Sequence, residues 1–238
     1  MPRANRHHIP GQIWHITHRC HQGQFLFKFA RDRDRWLYWL FEAKKRFGLT
    51  VLNYIVTSNH VHLLAVDDDS NSISRSIQII AGRTAQEYNQ RKKRKGAFWE
   101  DRYHATAIES GDHLMRCLTY IDMNMVRAGV VTHLSLWKQS GYHEIQSPPR
   151  RYRLIDRDKL VNLSGAKDVN QFITLHRHWI DQAIKEQQLQ RMAEWTEAVA
   201  VGDMSFTEQI KQELGINAQG RHIAKVGDAC ELREPEIP

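Results

Sequence analysis

The chain has 238 residues, enough for one substantial hydrophobic core or for one domain with a smaller appendage. It has no apolar run long enough to cross a bilayer, no apolar secretory signal at its N-terminus and only three widely spaced cysteines, so we expect a cytoplasmic protein without disulfides or a cysteine zinc site. Residues 1–146 contain 21 Lys and Arg against 13 Asp and Glu, a net charge of +8, whereas residues 147–238 carry −1, which favours nucleic acid as a partner of the first part.

The first 66 residues predict a strand, a helix and a pair of strands. Residues 11–20, GQIWHITHRC, alternate and are rich in β-branched and aromatic types, which is typical of a strand. Residues 30–48 repeat apolar side chains at helical spacing and end at a glycine, which predicts an amphipathic helix. Residues 49–66 predict two strands joined by a tight turn at Thr57-Ser58-Asn59.

The second strand of this pair begins with His60 and His62, which are separated by one residue. Side chains on a strand alternate between its faces, so both imidazoles point the same way. Two imidazoles on one face can bind a divalent metal ion. A chain with fourteen histidines also produces such a pair by chance, so the spacing alone leaves both interpretations open.

A second helix is predicted over residues 72–96, opened by Ser72 or Ser74 as N-cap, and a further strand over residues 102–110. Five consecutive cations end this helix. Such a run is typical of a solvated helix end, but here aromatic residues follow it, and aromatic rings among cations can stack on bases whose phosphates the cations hold. The candidate DNA contacts are Arg91, Lys92, Lys93, Arg94, Lys95 and Arg102, with Phe98, Trp99 or Tyr103 as stacking rings.

A third helix is predicted from Asp112 to Gly129. One stripe of it places Arg116, Tyr120, Asn124 and Arg127 above one another at i, i+4, i+8 and i+11. A phenol, an amide and two guanidinium groups on one edge form a candidate site. A tyrosine beside arginines is also common on the half-exposed surface of a helix.

The element order up to Gly129 is β, α, β, β, α, β, α. Its first six elements match the split βαβ arrangement of ferredoxin-like folds, an α+β architecture with an antiparallel sheet and helices on one face. A double proline follows, so we place a domain boundary near Ser147. Residues 147–238 predict a mostly helical C-terminal extension that becomes loose from Asn217.

Residues 2–142 resemble the single-tyrosine HUH transposases, and within them the bacterial REP-associated tyrosine transposases of the insertion-sequence 200-like group. The resemblance is carried by WHITHRC, KKRFGLTVLNYIVTSNHVHLL, FWEDRYHATAI and YIDMNMVRAGVV followed by SGY, in that order and at that spacing. This chain departs from common members by Thr57-Ser58 before NHVH and by Met125 after Asn124. Those departures affect the turn and the helix, and no reactive group is lost.

The resemblance implies a ferredoxin-like fold whose HUH motif is His60-Val61-His62, with Tyr120 as nucleophile. It also implies that Asn124 completes the metal site, where many relatives carry Gln. The implied reaction is cleavage and rejoining of single-stranded DNA through a 5′-phosphotyrosine. The implied substrate is a REP-like palindrome folded into a hairpin.

The residue types suggest further roles and leave several alternatives. Two imidazoles and an amide oxygen suit Mg²⁺ or Mn²⁺, although Zn²⁺ also binds imidazoles. Arg116 and Arg127 would assist the phenol electrostatically, while Arg3 and Arg6 would read a groove or the foot of a hairpin. The protein is expected to be a monomer or a homodimer. A non-catalytic DNA-binding protein that kept the fold, or a hydrolase that uses bound water, would also fit.

Overall fold

The computed structural model of the chain describes residues 9–67, 71–187 and 189–234, so Arg3 and Arg6 lie outside the described residues. The strands are β1 (Ile13–Arg19), β2 (Thr50–Val56), β3 (His60–Val66), β4 (His104–Ile108), β5 (Ala200–Gly202), β6 (His222–Val226) and β7 (Ala229–Arg233). The helices are α1 (Ala30–Phe47), α2 (Ser72–Lys92), α3 (Asp112–Asp122), α4 (Asn124–Arg127), α5 (Tyr142–Gln146), α6 (Arg157–Ser164), α7 (Val169–Lys185), α8 (Glu194–Glu197) and α9 (Met204–Leu214).

The first four strands form an antiparallel sheet in the order β2-β3-β1-β4. This is the order that a split βαβ arrangement produces, and it confirms the predicted α+β, ferredoxin-like fold. β1 lies between β3 and β4, and its register places Thr17 opposite His62 and Arg19 opposite His60. Both histidines therefore lie on β3, an inner strand of the sheet, beside β1.

Helices cover both faces of this sheet. His18 of β1 stacks on Trp99, whose indole N–H donates to the carbonyl of Ala81, so α2 and its partner α1 lie on the His18 face. His15 points to the opposite face, where it meets Tyr120 of α3. The histidine pair and the candidate tyrosine thus share the face opposite α1 and α2.

Two local predictions need correction. The predicted third helix is interrupted at Met123, so Tyr120 lies on α3 and Asn124 begins the short α4. The second helix begins one residue after Asn71, a left-handed N-cap without a side-chain cap hydrogen bond, so neither Ser72 nor Ser74 is its cap. Ser72 donates instead to the Asp67 carboxylate over 3.2 Å.

The C-terminal extension contains the expected helices but also strands that its sequence does not predict. β5 pairs parallel with β4, and β7 and β6 continue the sheet beyond it. The segment from Asn217 onward, predicted to be loose, contains the whole β6–β7 hairpin. One buried cluster includes Ile13 of β1 and Leu232 of β7, so the extension shares the core of the first part. The boundary near Ser147 stays a prediction.

Among the described residues, no helix combines the length and apolarity that a bilayer-spanning segment needs.

Candidate active site

The turn between β2 and β3 fixes the first histidine. The Nδ1 atom of His60 lies 2.7 Å from Asn59 Oδ1 and 3.0 Å from Thr57 Oγ1. Asn59 Nδ2 donates to the carbonyl of Gly23 over 3.1 Å, which identifies the atom facing His60 as the amide oxygen. Because this oxygen only accepts, His60 carries its proton on Nδ1. Its Nε2 lone pair is left for a ligand.

The second histidine is fixed by a third, His15 of β1. The two rings stack with centroids 5.0 Å apart, and His15 Nε2 lies 2.8 Å from His62 Nδ1. His15 Nδ1 must donate to the Trp195 carbonyl, which lies 2.7 Å away, so His15 Nε2 accepts and His62 Nδ1 donates. His62 therefore also presents an Nε2 lone pair. That atom lies 3.0 Å from Asn124 Nδ2.

Burial keeps these imidazoles in the neutral form that ligates metals. It lowers the pKa of His15 to about 3. Burial, with the positive charges of Arg19 and Arg127, lowers the pKa of His60 to about 4. The pKa of His62 is also lowered well below its ordinary value, first by burial and then by its neighbouring histidines and Arg127.

Tyr120 of α3 lies against the histidine pair. Its ring centroid is 5.9 Å from that of His62, and the His60 and His62 centroids are 4.9 Å apart. Arg127 folds back over Tyr120, with its Cζ 4.1 Å from the ring centroid and its Nη2 donating to the Tyr120 carbonyl over 3.1 Å. The phenol, imidazoles and guanidinium thus form one cluster within a single chain.

The Tyr120 phenol is not activated by its surroundings alone. Its side chain is 5% exposed. Burial raises its pKa above the ordinary value, and Arg127 and Arg191 oppose that change only in part. Further positive charge beside the phenolic oxygen is needed before it becomes a nucleophile near neutral pH.

Two cavities meet at Tyr120 and Arg127. One, of about 480 Å³, is lined by both histidines of the pair, Asn124, Arg102 and, from the extension, Arg191. The other, of about 690 Å³, lies between α3 and α7 and includes Arg116. Tyr120 and Arg127 therefore line both the cavity that contains the candidate metal ligands and the cavity between α3 and α7.

The donor set fits a divalent cation that keeps open positions. Both Nε2 lone pairs are free of protons, and each Nδ1–H is held by another group, as is usual for ligating histidines. Asn124 Nδ2 donates toward His62 Nε2 over 3.0 Å, and the same side chain is also hydrogen-bonded to His60. Within the described residues, no group of three or more His, Cys, Asp and Glu is arranged to hold a metal.

Comparison with known proteins assigns this part of the chain. Residues 11–124 match the family model described as "Transposase IS200 like". This segment belongs to the IS200-like transposase family. The match begins two residues before β1 and ends at Asn124, so it includes His60, His62 and Tyr120 but not Arg127 or the extension.

Two solved structures are similar to this chain. One is a REP-associated tyrosine transposase bound to a REP hairpin, with 18% identity, a TM-score of 0.49 and coverage of 60% of this chain and 84% of the other. The second is a candidate transposase from Deinococcus radiodurans R1, with 14% identity, a TM-score of 0.35 and coverage of 53% and 90%. A search of curated proteins finds no significant match.

The predicted DNA contacts fall into three groups. Arg102 and Arg127 line the cavity of the histidine pair, and Arg116 lies in the adjacent cavity, 3.9 Å from Asp228. The five cations at the end of α2 lie outside both cavities. Among them Arg91 is bound to Asp32 and Arg94 to Asn89, whereas the lysines are exposed: Lys92, Lys93 and Lys95.

The predicted stacking rings are mostly occupied by the protein itself. Tyr103 is 4% exposed and Phe98 is buried, so this conformation offers neither ring to a base. One face of the half-buried Trp99 is covered by His18, with centroids 3.9 Å apart. For Phe98 and Tyr103 the prediction used proximity in sequence to the basic run, whereas burial decides which rings reach solvent. For Trp99 it stays a prediction.

Sequence reasoning missed three groups of the site: His15, the Trp195 carbonyl and Arg191. His15 lies inside the WHITHRC motif, and the alternation of β1 places it on one face with Thr17, so pairing β1 with β3 would have brought it to His62. Trp195 and Arg191 carry no comparable signal, because they reach the site only through the fold of the extension.

Proposed function

We propose that this protein cleaves and rejoins single-stranded DNA at hairpin-forming sequences, with Tyr120 as the nucleophile. The observation that carries the proposal is the 5.9 Å separation of the Tyr120 and His62 rings, beside two imidazoles that both present Nε2 lone pairs. The family of residues 11–124 supports DNA cleavage as the reaction class. The motifs quoted above support a REP-like hairpin as its substrate.

In this reaction the Tyr120 oxygen attacks a backbone phosphorus. The new bond is a 5′-phosphotyrosine; the bond to the 3′-oxygen breaks, and the phenolic proton is accounted for by the 3′-hydroxyl that leaves. Reversal by another 3′-hydroxyl rejoins a strand without external energy, because each step exchanges one phosphodiester for another. Because the covalent intermediate can be reversed in this way, transesterification suits strand transfer better than hydrolysis would.

His60, His62 and Asn124 would hold a divalent cation, with Mg²⁺ or Mn²⁺ as the best match to two imidazoles and an amide. The bound cation would supply Lewis-acid polarisation of the scissile phosphate. Arg127, stacked over the Tyr120 ring, stabilises the phenolate and the negative charge that develops on the phosphate. Arg102 and Arg191 line the same cavity and contribute positive charge around the DNA.

The test uses a hairpin with a single-stranded flank, purified protein and Mn²⁺. We expect a covalent protein–DNA adduct that survives denaturing electrophoresis, and we expect Tyr120→Phe to lose it while still binding DNA. Tyr152→Phe, which alters an exposed tyrosine at a distant position, should keep the adduct. Cleavage without an adduct would indicate a water-dependent hydrolase. Tight binding without any cleavage would favour the non-catalytic alternative.

A further inference from the structure

An exposed aromatic loop lies directly beside the turn that carries the histidine pair. In the loop between β1 and α1, Phe25 and Phe29 are 66% and 55% exposed. Single exposed apolar residues are ordinary on a protein surface, but two large rings four residues apart are a local concentration. The folded chain therefore keeps two aromatic rings in solvent at this edge.

Hydrogen bonds fix this loop to the histidine turn. Phe27 N–H donates to the Ser58 carbonyl over 2.9 Å, and Cys20 N–H donates to the Asn59 carbonyl over 2.8 Å. The Asn59 side chain then contacts both Gly23 and His60. One turn thus supports the candidate metal ligand on one side and the aromatic loop on the other.

The end of α2 surrounds the rings with positive charge. Lys28 Nζ lies 5.9 Å from the Phe29 ring centroid, and Lys92 Nζ lies 5.2 Å from it. Arg94 reaches Gln24 of the same loop over 3.4 Å. The carboxylate of Asp32, in the first turn of α1, is engaged by Arg91.

We propose that single-stranded DNA next to the cleavage site stacks its bases on Phe25 and Phe29 while Lys28, Lys92 and Lys93 bind its phosphates. This inference rests on the proposed cleavage of DNA and assigns a binding surface for the strand beside the reacting phosphate. Base stacking on an exposed ring tolerates any sequence, because every base has an aromatic face. Bases within a duplex are already stacked on one another, so the surface selects unpaired strands.

Stacking can displace the lysines from the Phe29 ring. Removing one base–aromatic stack lowers affinity about 5- to 140-fold, whereas an exposed cation–aromatic contact accounts for about two- to fivefold. A lysine that leaves the ring for a phosphate gains a charged partner. When DNA is bound, the rings therefore stack on its bases while the lysines bind its phosphates. When no DNA is bound, Lys28 and Lys92 lie against the Phe29 ring.

The probes are a fluorescently labelled dT12 and a 12-mer of abasic nucleotides with the same phosphates, measured by anisotropy with the Tyr120→Phe protein. We expect Phe25→Ala and Phe29→Ala each to weaken dT12 binding about 5- to 140-fold and to change abasic binding less than twofold. Lys92→Gln should weaken both probes and reduce the slope of log affinity against log salt by about 0.7.

The matched control is Tyr152→Ala. Tyr152 is 75% exposed and stands between two arginines, but its segment pairs with the opposite end of β2, where Ile155 bridges to Val51. If aromatic and basic composition alone were sufficient, this variant would weaken dT12 binding as strongly as the loop variants do. We expect no change.

Three outcomes overturn the surface: no binding of dT12, equal losses for dT12 and the abasic strand, or a loop variant that behaves like the parent. If Phe25→Ala and Phe29→Ala weakened binding to vesicles of anionic lipid and left dT12 binding unchanged, the proposal would also be overturned, and the surface would instead bind membranes. Ring-dependent binding without any covalent adduct would overturn the catalytic proposal and keep this one. A covalent adduct together with DNA binding that does not depend on Phe25 or Phe29 would keep the catalytic proposal and overturn this one.

Discussion

The chain contains the pattern His-x-His twice, at His60-Val61-His62 and at His176-Arg177-His178, with different results. On β3 the two rings face the same side with centroids 4.9 Å apart. On α7 the same spacing turns the side chains about 200° apart, so His176 is fully buried while His178 is exposed. The secondary structure around the pattern, and not the pattern, decides whether two imidazoles can share a ligand.

The hydrogen bonds of the two buried histidines differ in the same way. His62 has one nitrogen held by His15 and directs its other lone pair toward Asn124 and the cavity. His176 uses both nitrogens within the protein: Nδ1 accepts from Gln146 over 2.9 Å, and Nε2 donates to Asp122 over 2.8 Å. Asp122 also accepts from Asn53. His176 therefore connects α7 to the end of the tyrosine helix and has no lone pair for a ligand.

The two His-x-His pairs should differ most in how their substitution affects the rate of the proposed DNA cleavage. His62→Ala removes an imidazole lone pair from the cavity, and we expect the cleavage rate to fall about 10³-fold, since a Lewis-acid cation supplies several kcal/mol to such a reaction. Mn²⁺ binding, measured by electron paramagnetic resonance of the free ion, should be lost as well. Tyr120→Phe is the control, because it should abolish the adduct and keep Mn²⁺. Unchanged Mn²⁺ binding in His62→Ala would remove the metal site.

Local patterns predicted the elements that carry these residues. Alternation predicted β1 and the β2–β3 hairpin, and helical spacing with a terminal glycine predicted α1, which ends at Gly48 in the left-handed conformation. The features that these local patterns did not predict depend on contacts between residues far apart in the sequence. The Trp195 carbonyl lies 180 positions after His15, and β5 is a three-residue strand that pairs with β4 and β7. No periodicity within either segment encodes such a pairing.

The second largest effect should be on stability and should belong to His176. His176→Leu leaves the buried Asp122 carboxylate without one of its two hydrogen-bond donors, and we expect the free energy of unfolding to fall by about 3 kcal/mol. Urea denaturation measures the loss. His176→Gln, which can still donate to Asp122, should lose less. At a temperature where His176→Leu is folded, its Mn²⁺ affinity should match the parent, and a tenfold loss would mean that the two histidine networks are coupled.

A smaller effect is expected at His15, which acts on the site only through His62. His15→Leu removes the acceptor that holds the His62 Nδ1 proton, and loss of such a contact lowers metal affinity about 10- to 100-fold. His15→Gln, which restores a carbonyl acceptor, should recover part of it. In metal-free parent protein, ¹⁵N NMR should show His62 protonated on Nδ1. A proton on His62 Nε2, or parent-like Mn²⁺ affinity in His15→Leu, would show that His15 does not orient His62.

The smallest effect should come from His178, the exposed member of the helical pair. Its side chain lies on the solvent side of α7, away from the contacts of His176, so His178→Ala should change the free energy of unfolding by less than about 0.5 kcal/mol. Mn²⁺ affinity and adduct formation should equal those of the parent. This variant removes one histidine of a His-x-His pattern, as His62→Ala does, so it controls for the loss of an imidazole as such. A measurable loss of Mn²⁺ in His178→Ala would mean that α7 supplies a ligand, and the contrast between strand and helix would no longer explain the site.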